Sequence, residues 1–153
     1  MIAYDRGDIR RINHFLKVFA FVSAIGELEG LGAPQMEILR IAALVHDIGI
    51  HESERKYHSC DGRYQQVEGP PIAADMLAEL GYSPDIIERV CWLVAHHHEY
   101  GCITDLDHRI LAEADFLVNA DEENMSDEAV RSVRDKIFRT ETGKQMLGRM
   151  YAL

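Results

Sequence analysis

An apolar helical run, residues 37–49 (EILRIAALVHDIG), ends in an adjacent histidine and aspartate, His46 and Asp47. Taking an imidazole and a carboxylate out of water is costly unless something pairs with them. Any fold of this chain must therefore bring a partner to the end of that run. A divalent cation suits both groups, because imidazole nitrogen and carboxylate oxygen are good ligands for Zn, Mn, Fe or Ni. Two more polar residues lie on apolar helix faces elsewhere. His14 is followed by Val18, Phe21 and Ile25 at spacings of 4, 3 and 4, so the four share one face. Asp115 stands 4 residues after Leu111 and 3 before Val118.

No strand-like alternation persists, whereas the 3.6-residue period recurs, and it predicts an all-α chain of roughly seven helices. The first begins after Asp5 or Asp8 and ends near Gly30 and Gly32. The second starts at Pro34 and runs to about Gly49, with Leu39, Ala42, Ala43 and His46 inward. Residues 51–64 (HESERKYHSCDGRY) read as a polar loop, either a specificity segment or a solvated connector. A third helix follows around Pro70 and Pro71 and closes at Gly81. Ser83 and Pro84 open a fourth, which buries Ile86, Val90, Leu93, Val94 and His97. A fifth spans about residues 107–121, Ser126 caps a sixth, and the last is short.

At 153 residues, without repeats or linkers, the sequence predicts one domain over 1–153. Its net charge of −10 argues against a general nucleic-acid surface, which needs clustered Lys and Arg. No apolar run approaches the roughly 20 residues that span a bilayer. Cys60, Cys91 and Cys102 show no CxxC spacing, and the N-terminal stretch is too charged for a signal peptide. A cytoplasmic location is expected from both. The sequence leaves room for a homo-oligomer.

His14, His46, Asp47 and Asp115 come from three helices, each where periodicity predicts burial. A single buried histidine is usually a hydrogen-bonded core residue. Two carboxylates and two imidazoles buried together are different, because without a cation they leave charge uncompensated. At this point, from RRINHF through LVHDIG and VAHHHEYG to LAEADFLVN, the chain resembles the HD superfamily of metal-dependent phosphohydrolases. The resemblance implies an all-α fold and a divalent metal (Mn, Fe, Ni, Co, Zn or Mg) on His14, His46, Asp47 and Asp115. It also implies hydrolysis of a phosphate ester or anhydride through a metal-activated water, with a nucleotide as the expected partner. An Arg at the position of Arg11 commonly meets the substrate in this superfamily, so Arg11 is a candidate phosphate ligand.

Departures from the better-known branches leave the substrate open. The stretch HHHEYGCITDLD begins like the cyclic-dinucleotide phosphodiesterases but lacks their Gly-Tyr-Pro segment. HDIGIHE lacks the acidic pair of the stringent-response hydrolases. Gln65 and Glu68 stand where two-metal members carry a histidine, so one ion is expected rather than two. His97 and His98 are then expected to touch substrate phosphate, with Asp47 orienting the attacking water. Arg10, Lys56 and Arg63 are weaker phosphate candidates, and His51, Glu52 and Glu54 could supply acid–base help. Tyr57, Tyr64 and Tyr100 could stack on a base. Two competing readings are a non-catalytic nucleotide-sensing domain and an oxygenase with a di-iron centre, which would need the second metal site.

Overall fold

The computed structural model describes residues 1–101 and 105–153; Cys102 lies outside them. The described residues form eight helices and no strand: α1 (Ile9–Leu28), α2 (Ala33–Val45), α3 (Ile50–Tyr57), α4 (Gly62–Glu79), α5 (Pro84–His96), α6 (Leu106–Glu122), α7 (Asp127–Ile137) and α8 (Glu141–Met150). The seven helices expected from periodicity are all present. The eighth is α3, inside the stretch read as a loop.

Local chemistry starts and stops these helices. The Asp8 carboxylate caps α1 by accepting from the Arg11 amide at 3.1 Å. Ser126 and Thr140 cap α7 and α8 in the same way. Periodicity missed α3 because it buries one residue, Ser53, and is held mainly by polar contacts. Glu52 pairs with Arg55 and Lys56 at the i+3 and i+4 spacings that face each other on a helix. Left-handed His58 ends it.

Two boundaries differ from expectation. The second helix stops at Val45 rather than Gly49, so His46 and Asp47 lie in the turn between α2 and α3. The third expected helix begins at Gly62 rather than near Pro70, capped by the Asp61 side chain. Pro70 and Pro71 fall inside it. Proline has no N–H, so the carbonyls of Gln66 and Val67 lose their usual i+4 donors, and the sequence read that break as a start.

Among the described residues, an apolar cluster joins every helix except α3, with Val18, Val22, Leu39, Leu93, Leu111 and Leu117 fully buried within it. α1 packs on α2 and α6, and α4 packs on α5 and α3. The inward stripes read from the sequence are therefore the ones buried, apart from the flanking Phe21 and Ile86, which are half-buried. Among the described residues, no helix is long and apolar enough to cross a membrane.

The turn that carries His46 and Asp47 is pressed against α4. A Cβ on Gly49 would lie 2.7 Å from the Gly69 amide nitrogen and 2.8 Å from the Gln65 carbonyl oxygen. Both are backbone atoms, so the chains would have to move apart. Gly49→Ala is expected to lower unfolding free energy by about 1–3 kcal/mol, the usual cost of overpacking. Urea denaturation checks this, and an unchanged midpoint would contradict the close crossing.

Candidate metal centre

Side chains from four places in the fold converge at one end of the bundle. His14 comes from α1, His46 and Asp47 from the α2–α3 turn, Asp115 from α6, and His97 and His98 from the end of α5. His14 Nε2 lies 3.2 Å from His46 Nε2 and 3.2 Å from Asp115 Oδ1. His46 Nε2 is 3.4 Å from Asp115 Oδ1 and 3.5 Å from Asp47 Oδ2. His97 Nε2 lies 3.4 Å from Asp47 Oδ1. Three overlapping groups, His14/His46/Asp115, His46/Asp47/His97 and His97/His98/Asp115, each bring ligand atoms within 4.8 Å of one another.

The far sides of the rings fix what the near sides offer. His46 Nδ1 bonds the Ala43 carbonyl at 2.9 Å, and His97 Nδ1 bonds the Val94 carbonyl at 2.9 Å. His14 Nδ1 meets the Glu122 carboxylate at 3.1 Å. A carbonyl or carboxylate only accepts, so each Nδ1 carries the ring proton and each neutral ring turns a bare Nε2 inward. Two such lone pairs 3.2 Å apart, beside two carboxylates, require a shared proton or a cation. The donor set of imidazole nitrogens and carboxylate oxygens fits a divalent transition metal. Asn119 donates to Asp115 Oδ1 at 2.9 Å and so orients that carboxylate. The buried His97 Nε2, His98 Nε2 and Asp115 Oδ2 have no hydrogen-bond partner among the described residues.

Protons stand in where a cation would sit. Burial pushes the His46 pKa down, but Asp47 and Asp115 outweigh it and pull it up from 6.5 to about 9. His14 is likewise raised, because its bond to Asp115 helps overcome desolvation. Burial raises the Asp47 carboxyl, yet His46 and His97 bring it well below the usual carboxylate range. Asp115 is lowered in the same way, by His14 and His46 against its burial. His98 is driven down to about 4 by burial and by His97, so its ring is neutral near pH 7.

A cavity of about 490 Å³ opens onto this cluster, and Arg11, His14, Asp47, Gln65, His98 and Asn119 are in its wall. Arg11 stands one helical turn before His14. His97 does not reach the cavity, because it is fully buried behind Asp47. Arg10 is also in the wall. Lys56 is taken by Glu68 at 2.7 Å and Glu52 at 3.2 Å, and Arg63 by Asp61 at 3.0 Å; neither lines the cavity. Glu54 lines it and pairs with Arg11, whereas Glu52 turns to Arg55 and Lys56. Tyr57 and Tyr64 stack on each other with centroids 4.1 Å apart, and half-buried Tyr100 packs against the core.

A family model for the HD domain matches residues 11–134. The chain belongs to the HD domain family. Neither a curated protein nor a solved structure matches it at a significant level. HD domains bind divalent metals, and the matched span holds all four residues of the His … His-Asp … Asp pattern. Glu122 and Asn119 escaped the sequence reading. The available signal was their spacing of 7 and 4 residues after Asp115, which puts them on the same face of α6.

Two outcomes follow for this HD domain. In metal-free protein, stability from the protonated His46 is fully present below pH 6.5 and is lost as pH rises through about 9. Metal must displace that proton, so apparent affinity should climb between pH 6.5 and 9 by about tenfold per unit for one proton. Competition with a chromophoric chelator across that range measures the slope, and a flat profile would remove His46 from the ligand set. Glu122→Ala takes away the carboxylate behind His14 and should weaken metal binding by about 10–100-fold. The same competition assay reads it.

Proposed function

We propose that this HD domain is a metal-dependent phosphohydrolase acting on a small phosphate ester, with nucleotides the leading class. The observation that carries the reading is the facing Nε2 atoms of His14 and His46 beside Asp115, with His14 and Asp47 of this cluster lining a cavity whose wall includes Arg11. His14, His46, Asp47 and Asp115 would hold the ion. When bound there, a divalent metal supplies Lewis acidity toward a phosphoryl oxygen and lowers the pKa of a bound water.

The chain's own residues account for the rest. Asp47 is 26 % exposed at its side chain, the least buried of the four, so its carboxylate is accessible to orient a water from the cavity. Arg11 offers a planar guanidinium to phosphate oxygens, which suits bidentate contact. His98, neutral and on the wall, can bond a substrate oxygen. The cavity volume suits a ligand of mononucleotide size rather than a polymer.

A second reading concerns the number of ions. The grouping of His97, His98 and Asp115, in which His98 Nε2 and Asp115 Oδ2 have no hydrogen-bond partner among the described residues, supports a second ion, against the single one expected from Gln65. One equivalent by elemental analysis leaves His98 for the substrate and removes the di-iron alternative; two equivalents place both histidines among the ligands.

Turnover of a nucleotide and phosphate-ester panel, with Mn, Mg, Co, Ni and Fe added in turn, tests the proposal. Activity is expected with at least one metal. Arg11→Ala should cut it about 100-fold with metal content unchanged, the scale for losing one donor to a charged transition state. Asp47→Ala should lose most of the metal itself, and chelation should lower the melting temperature of the native protein. Absence of turnover in every metal overturns the hydrolase reading. Tight nucleotide binding without turnover would mark a sensing domain instead.

A further inference from the structure

The segment ahead of α1 forms one side of the cavity. Asp5 and Asp8 are both in the wall, and Asp5 is only 5 % exposed. Two turns shape the segment: the Asp5 amide donates to the Met1 carbonyl at 2.9 Å, and the Asp8 amide to the Asp5 carbonyl at 2.9 Å. The Tyr4 hydroxyl donates to the carbonyl of Ile48 at 3.2 Å, next to Asp47, and so docks the segment on the α2–α3 turn.

His51, on α3, uses both ring nitrogens. Nδ1 lies 3.0 Å from Arg11 Nη1, and Nε2 lies 2.8 Å from Asp5 Oδ1. A guanidinium can only donate, so Nδ1 accepts and the ring proton sits on Nε2. Asp5 accepts that proton's hydrogen bond. The result is a chain of carboxylate, neutral imidazole and guanidinium that starts in the N-terminal segment and ends in the cavity wall. Arg11 is held further by Asp8 at 3.1 Å and Glu54 at 2.6 Å.

Donor counting shows what this leaves. A guanidinium has five N–H groups; hydrogen bonds to His51 and Glu54 use two, and Nη1 also faces Asp8 in an ion pair. Nε–H and one N–H of Nη2 have no partner among the described residues, and two donors are what a bidentate contact to an oxyanion needs.

We propose that Asp5 is a positioning residue for substrate binding: through His51 it fixes the Arg11 guanidinium and keeps two of its N–H groups for an anionic group such as phosphate. The proposal rests on the reading of Arg11 as the phosphate contact. The competing account is a surface staple that merely ties down the N-terminal segment. A staple needs only opposite charges, which exposed pairs supply for little net gain. Arg11 already has opposite charges in Asp8 and Glu54; its further contact, to the His51 ring that Asp5 holds, is to a neutral acceptor and requires one tautomer.

The test is a cycle of Asp5→Ala, Asp5→Asn, Arg11→Ala and the Asp5→Ala/Arg11→Ala double variant, with kcat/KM measured on the best substrate. Asp5→Ala should lower kcat/KM about tenfold, the scale of one hydrogen bond, with metal content unchanged. Asp5→Asn should recover most of the loss, because its amide oxygen accepts the same bond. Asp5→Ala should add nothing in the Arg11→Ala background. Multiplying effects, or a fall in melting temperature without a kinetic effect, overturns the proposal in favour of the staple.

Long-range 1H–15N spectra of the His51 ring give a readout independent of turnover. The proton is expected on Nε2 alone in the native protein and in Asp5→Asn. A proton on Nδ1 overturns the relay even in an active enzyme. If the native protein hydrolyses no ester, inorganic phosphate binding to the metal-loaded protein is measured through the same cycle. Failure of both turnover and phosphate binding removes the functional reading and the proposal with it, whatever the ring spectrum shows.

Discussion

Two imidazole nitrogens without protons, aimed at each other across 3.2 Å beside two carboxylates, are the constraint on which the rest of this molecule depends. Such a cluster is stable only with a positive charge inside it. The fold is arranged so that the charge must come from outside the rings. Backbone carbonyls of Ala43 and Val94 and the Glu122 carboxylate hold the outer nitrogens of His46, His97 and His14. Each outer bond commits the ring proton to the wrong side for self-neutralisation. Without an ion a proton fills the gap partially, because the carboxylates of Asp47 and Asp115 outweigh burial and pull the His46 pKa up to about 9. A divalent ion satisfies more of the unpaired atoms at once.

Close backbone packing brings these groups into register. The α2–α3 turn can present His46 and Asp47 because Gly49 lets it lie against Gly69 and the Gln65 carbonyl of α4. One turn before Gln65, a Cβ on Gly62 would come within 2.5 Å of the His98 ring. The same helix that buttresses the Asp47 turn therefore also makes room for His98. In the segment ahead of α1 the contacts are polar: Tyr4, Asp5 and Asp8 tie it to the carbonyl of Ile48, to α3 and to Arg11. Part of the site is set by packing and part by hydrogen bonds.

The regular parts of the chain were readable from the residues. His14 and Asp115 lie on apolar helix faces and His46 directly follows the apolar stripe of α2, so burial followed from spacing, and burial of unlike polar groups pointed to a cation. The parts that differ have separate causes. α3 is stabilised by the Glu52, Arg55 and Lys56 pairs, and polar side chains leave no apolar period to count. The start of α4 was hidden because Pro70 and Pro71 are strong local breakers that packing overrides. Lys56 and Arg63 were weaker phosphate candidates because both are basic and near the site in sequence, yet Glu52 and Glu68 pair with Lys56, and Asp61 with Arg63.

What the sequence by itself determined is the list of helices that bury apolar stripes and the chemical type of the groups buried with them. Both depend on intervals of three and four residues, which a helix converts directly into a shared face. What only the tertiary structure decided is which atoms meet. The bare Nε2 atoms follow from carbonyls and a carboxylate on the far side of each ring. His97 lies behind Asp47 while His98 reaches the cavity, although they are neighbours in sequence. Asp5 meets His51 across 46 positions, and His51 meets Arg11 across 40. No local spacing encodes such contacts, because they arise where separate helices cross and the energy of each depends on groups far apart in the chain.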